Sequence, residues 1–137
     1  MKFAVIKQKV TVPATPEEVY EAFIDAGKHS AFTGQKATCD PKVGGKFTAG
    51  DGYISGKNLE LEKGKRIVQE WKTTEWPEGY PPSRFELTLK EVKEGTEITI
   101  IHSDVPAEQA EDLKEGWNEF YWKPLKDYFK KIHKQLK

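Results

Sequence analysis

The sequence predicts an α+β protein with a helix-grip fold, in which a curved antiparallel β-sheet wraps around a long C-terminal α-helix. Two short helices are expected after the first strand. Between residues 37 and 103, short alternating runs are separated by glycine-containing turns, which is typical of antiparallel hairpins. From Pro106 onward, apolar residues recur every three or four positions, which is typical of an amphipathic helix. A helix of this length, about 45 Å, needs an extended surface to pack against, and the sheet provides one.

The strands are predicted from the alternation of polar and apolar residues. FAVIKQKVTV (residues 3–12) alternates as expected for a strand with one solvent-exposed face. RIVQEWKT (residues 66–73) and RFELTLKEV (residues 84–92) alternate in the same way. The sequence Lys-Glu-Gly at residues 93–95 is a suitable hairpin turn before the last strand.

The segment after the first strand predicts two short helices. Thr15 is a suitable N-cap, and Pro16 suits the first helical position. Glu18, three residues after Thr15, completes a capping box. We expect Gly27 to break this helix and a second one, formed around KHSAF, to end near Gly34.

The C-terminal helix carries one apolar stripe. Its members are Leu113, Trp117, Tyr121, Leu125, Tyr128, Ile132 and Leu136. Acidic residues occupy the first turns and lysines the last, which matches the helix dipole. Pro124 lies inside the pattern, and we expect it to kink the helix because it lacks a backbone donor and collides with the preceding turn.

Length and composition restrict the class of protein. A chain of 137 residues predicts a single domain, residues 1–137. Twenty-two basic residues balance 22 acidic ones, which argues against a nucleic-acid or anionic-membrane binder. No apolar run is long enough to span a membrane. The single cysteine, Cys39, fits a reducing compartment, so a soluble, cytoplasmic and monomeric protein is expected.

Several segments together resemble one known family. They are TPEEVYEAF, AFTGQKATCDPKVGGKF, DGYISGKNLEL, RIVQEWKTTEWPEGY and GWNEFYWKPLKDYF, which cover nearly the whole chain in order. They resemble the C-terminal domain of the activators of the heat-shock protein 90 ATPase, within the START-like (birch-pollen-allergen-like, SRPBCC) superfamily. The resemblance implies the helix-grip fold and a co-chaperone role, in which this domain contacts the ATPase domains of the chaperone.

The loop TTEWPEGYPPSRFE, between two predicted strands, carries large aromatic rings that a turn does not require. We expect Trp76, Glu78 and Tyr80 to bind a partner, because rigid aromatic side chains lose little entropy on docking and dominate interface hot spots. Alternatively, Trp76 folds back over the sheet and the prolines merely stiffen a hairpin. Of the two rings, we expect Trp76 to be the structural one and Tyr80 to be exposed. Lys126 and Lys130 form part of a basic helix face, which either steers an acidic partner or is simply solvated.

Large apolar side chains between sheet and helix could line a ligand cavity. The candidates are Trp71, Phe85, Leu87, Trp117, Tyr121 and Tyr128. The alternative is a filled core, which close packing favours. Binding or sensing of a small apolar ligand is therefore the second functional hypothesis.

The sequence offers little support for catalysis, a metal or a cofactor. His29, His102 and His133 have no spacing that suggests a metal site, and no HExxH motif is present. A buried pair between His102 and Asp104 is conceivable, although a structural histidine is favoured. A cyclase-like or hydratase-like activity is the weakest hypothesis, because no convincing acid–base pair is predicted.

Overall fold

The computed structural model describes residues 1–135 and contains an open, curved, seven-stranded antiparallel sheet. The strands are β1 (Phe3–Val12), β2 (Thr38–Cys39), β3 (Lys46–Ala49), β4 (Ile54–Glu62), β5 (Arg66–Thr73), β6 (Ser83–Val92) and β7 (Gly95–Pro106). Their order across the sheet is β1-β7-β6-β5-β4-β3-β2, which places β1 and β2 at opposite edges. The predicted fold class is confirmed.

The helices pack on one face of this sheet. They are α1 (Pro16–Ile24), α2 (Ala26–Thr33), a 3₁₀ turn (Ala107–Gln109), α3 (Ala110–Trp117), a π-helical segment (Asn118–Trp122) and α4 (Lys123–Gln135). Leu136, the last position of the predicted apolar stripe, lies outside the described residues. Within the described part of the chain, no helix combines the length and apolarity that crossing a bilayer requires.

The predicted capping box of α1 is present. The Thr15 hydroxyl accepts a hydrogen bond from the Glu18 backbone N–H at 3.2 Å, and the Glu18 carboxylate accepts one from the Thr15 N–H at 2.9 Å. Two otherwise unsatisfied donors at the helix start are thereby satisfied. This contact fixes the point at which the chain leaves β1 and turns onto the sheet.

The break between α1 and α2 lies at Asp25, whereas we expected it at Gly27. Asp25 has an extended backbone (φ −83°, ψ 116°), and its N–H donates to the Glu21 carbonyl at the end of α1. Its carboxylate accepts from the Lys28 N–H at 3.0 Å and so caps the start of α2. One aspartate therefore ends one helix and starts the next, and Gly27 lies inside α2.

The disruption expected at Pro124 takes the form of the π-helical segment that precedes it. The Lys123 N–H donates to the Asn118 carbonyl, five residues earlier. The wider turn accommodates the missing donor of Pro124. It also places Tyr121 and Trp122 together in the core, whereas Phe120 remains 66% exposed.

The core lies between the sheet and the helices, and aromatic rings fill its centre. Trp117 stacks on Phe85 of β6 with ring centroids 4.7 Å apart and on Trp122 at 5.6 Å. Phe23 of α1 stacks on Tyr121 at 5.9 Å. Among the described residues, every buried side-chain nitrogen and oxygen has a hydrogen-bond partner. The core is therefore both packed and electrostatically satisfied.

Replacing Thr15 by alanine should lower the free energy of unfolding by about 1 kcal/mol, because the capping hydrogen bond is lost. Urea denaturation measures this change. Thr74→Ala is the matched control: Thr74 is exposed and its side chain makes no hydrogen bond in the described structure, so its effect should stay within about 0.5 kcal/mol. Equal effects of the two substitutions would contradict the role of the cap.

Candidate functional site

Trp76 holds the β5–β6 loop against the body of the protein. Its indole N–H donates to the Pro81 carbonyl at 2.9 Å, which closes the loop from within. Its ring meets the edge of Trp71 in β5 at 6.0 Å. Trp76 is half-buried, so the folded-back alternative describes its position.

Tyr80 is half-buried, whereas the sequence predicts an exposed side chain. The difference arises because the loop curls toward the start of β1. Its hydroxyl accepts a hydrogen bond from the Lys2 backbone N–H at 3.2 Å. Its ring makes an edge-to-face contact with Phe3 at 5.5 Å. Glu78, two residues earlier, is exposed. The loop tip therefore presents Glu78 and one side of Tyr80 beside the N-terminal end of β1.

The two candidate lysines of α4 lie toward the other end of β1. Lys126 is half-buried and Lys130 is exposed. Lys126 lines a surface cleft of about 530 Å³ together with Lys9 and Val10 of β1. Six residues separate Phe3 from Lys9, which corresponds to about 20 Å along a strand. The structure thus places Tyr80 beside the start of this edge strand and Lys126 beside its second half.

The centre of the core, under Trp117, is almost filled. A cavity of about 10 Å³ is lined by four of the predicted residues, Trp71, Phe85, Trp117 and Tyr121. This volume corresponds to about one water molecule. Leu87 and Tyr128 do not line it: Leu87 is fully buried in the packed core, and Tyr128 lies against Phe32 and Phe129. An enclosed cavity large enough for an organic ligand is therefore not found among the described residues.

A larger groove of about 380 Å³ opens at the surface beside α3. Its lining residues are Thr33, Gln35, Gly50, Tyr53, Ile54, Trp71, Asp112, Leu113, Gly116, Trp117, Phe120 and Tyr121. Trp71, Trp117 and Tyr121 form its floor from the core, and the exposed ring of Phe120 stands at its wall. The groove is mainly apolar, with one carboxylate, that of Asp112.

A chain of hydrogen bonds connects the C-terminal helix to three strands beneath the groove. The Trp117 indole N–H donates to Nδ1 of His102 at 3.3 Å, so Nδ1 carries no proton. The neutral ring therefore carries its proton on Nε2, which donates to Ser83 Oγ at 2.7 Å. Ser83 in turn donates to the Trp71 carbonyl at 2.5 Å. Burial lowers the pKa of His102 to about 3, which keeps the ring neutral.

This Ser–His pair lacks the arrangement of a nucleophile and its base. A base must present an unprotonated nitrogen to the serine hydroxyl, whereas Nε2 of His102 carries the proton. Ser83 and His102 are also fully buried. The conceivable pairing of His102 with Asp104 is wrong: Asp104 has φ 58°, lies where the pairing of β7 with β1 shifts register, and is exposed. The alternation of β7 contained the signal, since His102 shares the inward face with Ile98 and Ile100.

A second buried histidine ties α1 and α2 to the π-helical segment. His29 Nδ1 donates to the Phe23 carbonyl at 3.2 Å, and the Tyr121 hydroxyl donates to Nε2 at 2.9 Å. Burial lowers the pKa of His29 and raises that of Tyr121, so both are neutral. Among the described residues, no three metal-ligating side chains are grouped as a metal site would require. Both histidines are structural.

The comparison with protein families identifies one match. The family described as "Activator of Hsp90 ATPase homolog 1-like protein" matches residues 13–130. The human protein named activator of 90 kDa heat shock protein ATPase homolog 1 is 34% identical over 124 residues, which are 90% of this chain and 36% of that protein. A Dictyostelium discoideum homologue is 32% identical over 113 residues, 82% of this chain and 29% of the homologue. The chain spans about a third of the length of the curated relatives it matches.

Solved structures share the fold. The crystal structure of an HSP90 activator from Plasmodium falciparum aligns with a TM-score of 0.75 and 30% identity, covering 87% of this chain and 89% of that one. The solution structure of an Aha1 dimer from Colwellia psychrerythraea aligns with a TM-score of 0.77 and 19% identity, covering 90% and 94%. At this lower identity the likeness concerns the fold alone.

Because buried His102 stays neutral, the protein should become less stable as the pH decreases below about 6.5. The unfolded chain takes up a proton near pH 6.5, whereas the folded protein does so only near pH 3, so protons favour the unfolded state between these values. His102 alone should lower the free energy of unfolding by about 1.4 kcal/mol from about pH 7.5 to about pH 5.5, and His29, whose pKa is also lowered, adds to this fall. Urea denaturation at both pH values measures it.

His102→Gln is the control for this pH dependence, because glutamine forms hydrogen bonds but does not titrate. The variant should lose the part that His102 contributes, about 1.4 kcal/mol over this range, and keep the part that His29 contributes. An unchanged pH dependence in the variant would contradict the assignment of a neutral His102.

Proposed function

Because the chain belongs to the family of activator of Hsp90 ATPase homolog 1-like proteins, we propose that it binds a heat-shock protein 90-type chaperone and modulates its ATPase. The observation that carries the proposal is the match of residues 13–130 to this family, together with relatives named as activators of that ATPase. The matched residues are only about a third of these relatives, so their activity is extended here to one domain. We further propose that this chain acts in the cytoplasm.

The proposed contact surface consists of the β5–β6 loop tip and the basic face of α4. Trp76 holds the loop by its bond to the Pro81 carbonyl, so that Glu78 and Tyr80 are positioned before the partner arrives. Preorganisation of this kind reduces the entropy lost on docking. Lys126 and Lys130 add positive charge that steers an acidic surface.

Binding without catalysis is the mechanism that the site supports best. The Ser83–His102 pair is buried and has the proton on the nitrogen that a base would need free. The chain would therefore act by its differential affinity for conformations of the chaperone. A partner that binds one conformation better shifts the population toward it, and the ATPase rate changes accordingly.

A second candidate function is the binding of a small apolar ligand in the groove beside α3. Its volume of about 380 Å³ lies in the range of small-molecule sites, and it is lined by Trp71, Trp117 and Tyr121. The interior cavity of about 10 Å³ does not support a ligand enclosed between sheet and helix. Any apolar ligand would therefore bind at the surface opening.

The chaperone proposal is tested with a purified heat-shock protein 90-type chaperone from the source organism. The wild-type chain should bind it and change its ATPase rate. The variant Lys126→Glu plus Lys130→Glu, and separately Tyr80→Ala, should weaken binding at least about tenfold, because each removes a contact of the proposed surface. Calorimetric titration and the ATPase rate provide the two measurements.

The matched control for the charge reversal is Lys46→Glu plus Lys57→Glu. These exposed lysines pair with each other across β3 and β4, near the opposite edge of the sheet from β1. The control changes the net charge by the same amount as Lys126→Glu plus Lys130→Glu. The control should bind like the wild type. Absence of wild-type binding would refute the proposed function, whereas equal weakening by both variants would refute the surface alone.

The ligand proposal is tested by filling the groove at Gly116. A Cβ atom there would meet only the Phe120 ring, at 3.8 Å, so Gly116→Leu should fold normally and occupy groove volume. With the fluorescent probe 1-anilinonaphthalene-8-sulfonate, we expect saturable binding to the wild type and at least about tenfold weaker binding to the variant. Equal binding by both proteins would place the probe elsewhere and remove the support for this groove.

A further inference from the structure

β1 is an edge strand whose outer side is unoccupied in the described structure. Its backbone pairs with β7 only, at the end of the sheet order. The Gln8 side chain, by contrast, donates to the Lys114 carbonyl and accepts from the Trp122 indole N–H. Between Phe3 and Thr11, the described structure has no backbone hydrogen bond from a loop or turn to this strand. An edge strand of this kind carries a row of unpaired N–H and C=O groups, which can pair with another extended chain.

The side chains on the exposed face of β1 change in character along the strand. Phe3 and Val5 are 46% and 55% exposed, although both are apolar. Lys7 and Lys9 follow on the same face and are exposed. Glu97 of β7 lies 4.0 Å from Lys9, whereas Lys7 has no carboxylate within this distance among the described residues. The strand thus presents two apolar positions and then two basic ones.

The basic half of β1 continues into the cleft against the C-terminal helix. Lys9, Lys123 and Lys126 line this cleft of about 530 Å³. Glu119, which also lines it, already forms an ion pair with Lys123 at 2.6 Å. Lys126 has no ion-pair partner in the described residues. The cleft therefore extends the positive charge of Lys7 and Lys9 sideways from the strand toward the C-terminal helix.

We propose that the open edge of β1 binds an extended, acidic segment of a partner protein by strand addition. In an antiparallel arrangement, the segment would place two acidic residues, spaced by one, opposite Lys9 and Lys7. Two apolar residues with the same spacing would follow, opposite Val5 and Phe3. The backbone supplies affinity and the alternating side chains supply specificity. The inference goes beyond the proposed function, because it does not depend on the identity of the partner.

A second copy of the chain fits this edge less well than an acidic segment does. The exposed face of β1 carries Phe3, Val5, Lys7, Lys9 and Thr11, without a carboxylate. In any antiparallel register of two β1 strands, lysines would face apolar residues, threonine or each other. Like charges directly opposite destabilise a strand pair. The charge pattern therefore favours an acidic partner over self-association.

The probe for this test is a synthetic peptide, acetyl-Glu-Thr-Glu-Thr-Val-Thr-Val-Thr-amide, added to the whole ¹⁵N-labelled chain. Backbone amide shifts and slowed amide exchange should be confined to β1 and the neighbouring cleft. The same peptide with lysine in place of glutamate should bind at least about tenfold more weakly, because it faces Lys7 and Lys9 with like charge.

The variant Lys7→Glu plus Lys9→Glu should bind the acidic peptide at least about tenfold more weakly than the wild type does. The control variant Lys46→Glu plus Lys57→Glu should bind it with the affinity of the wild type. Failure to shift β1 amides at millimolar peptide, shifts located elsewhere, or equal binding of both peptides would overturn the proposal. So would dimerisation through β1 without peptide binding, measured by sedimentation. Since no chaperone is present, these outcomes do not depend on the chaperone experiment.

Discussion

The position of Trp117 is the constraint on which the rest of the structure depends. Its ring stacks on Phe85 of the sheet at 4.7 Å, and its indole N–H bonds to the buried, neutral His102. Through Ser83 the same chain of hydrogen bonds reaches the Trp71 carbonyl in β5. Because a buried polar group without a partner is costly, this network admits only one arrangement of helix on sheet. The C-terminal helix is thereby held in both register and orientation.

This packing decides which kinds of function the fold can perform. Aromatic rings fill the centre of the core, where a cavity of only about 10 Å³ remains. Open space is found instead at the surface, in the groove beside α3 and in the cleft beside β1. The β5–β6 loop lies beside the start of β1, and Lys126 of α4 lies beside its second half. Both proposed contact surfaces are consequently on the outside of the molecule.

The sequence predicted the fold well, because each element carries a local signal. Alternation gave the strands, the Thr15–Glu18 capping box gave the start of α1, and ordered motifs gave the family. The directions of individual side chains were harder to predict. Tyr80 was expected to be exposed, yet it meets Phe3, 77 residues away in the chain (80 − 3), and no local pattern encodes such a contact. The helix break moved from Gly27 to Asp25 because a side-chain cap outweighed glycine's flexibility.

The π-helical segment determines which side chains of the C-terminal helix face the sheet before and after it. Trp117 and Leu125 are eight positions apart (125 − 117), and both are buried on the same packed side. In a regular α-helix, eight residues at about 100° each would leave them roughly 80° apart around the axis. The wide turn between them absorbs this angular excess. Deleting one residue from Asn118–Trp122 would leave seven steps, about 700° in a regular α-helix, so the later side chains would keep their direction relative to the sheet to within roughly 20°. The π-helical segment therefore acts as a one-residue insertion that the helix has absorbed.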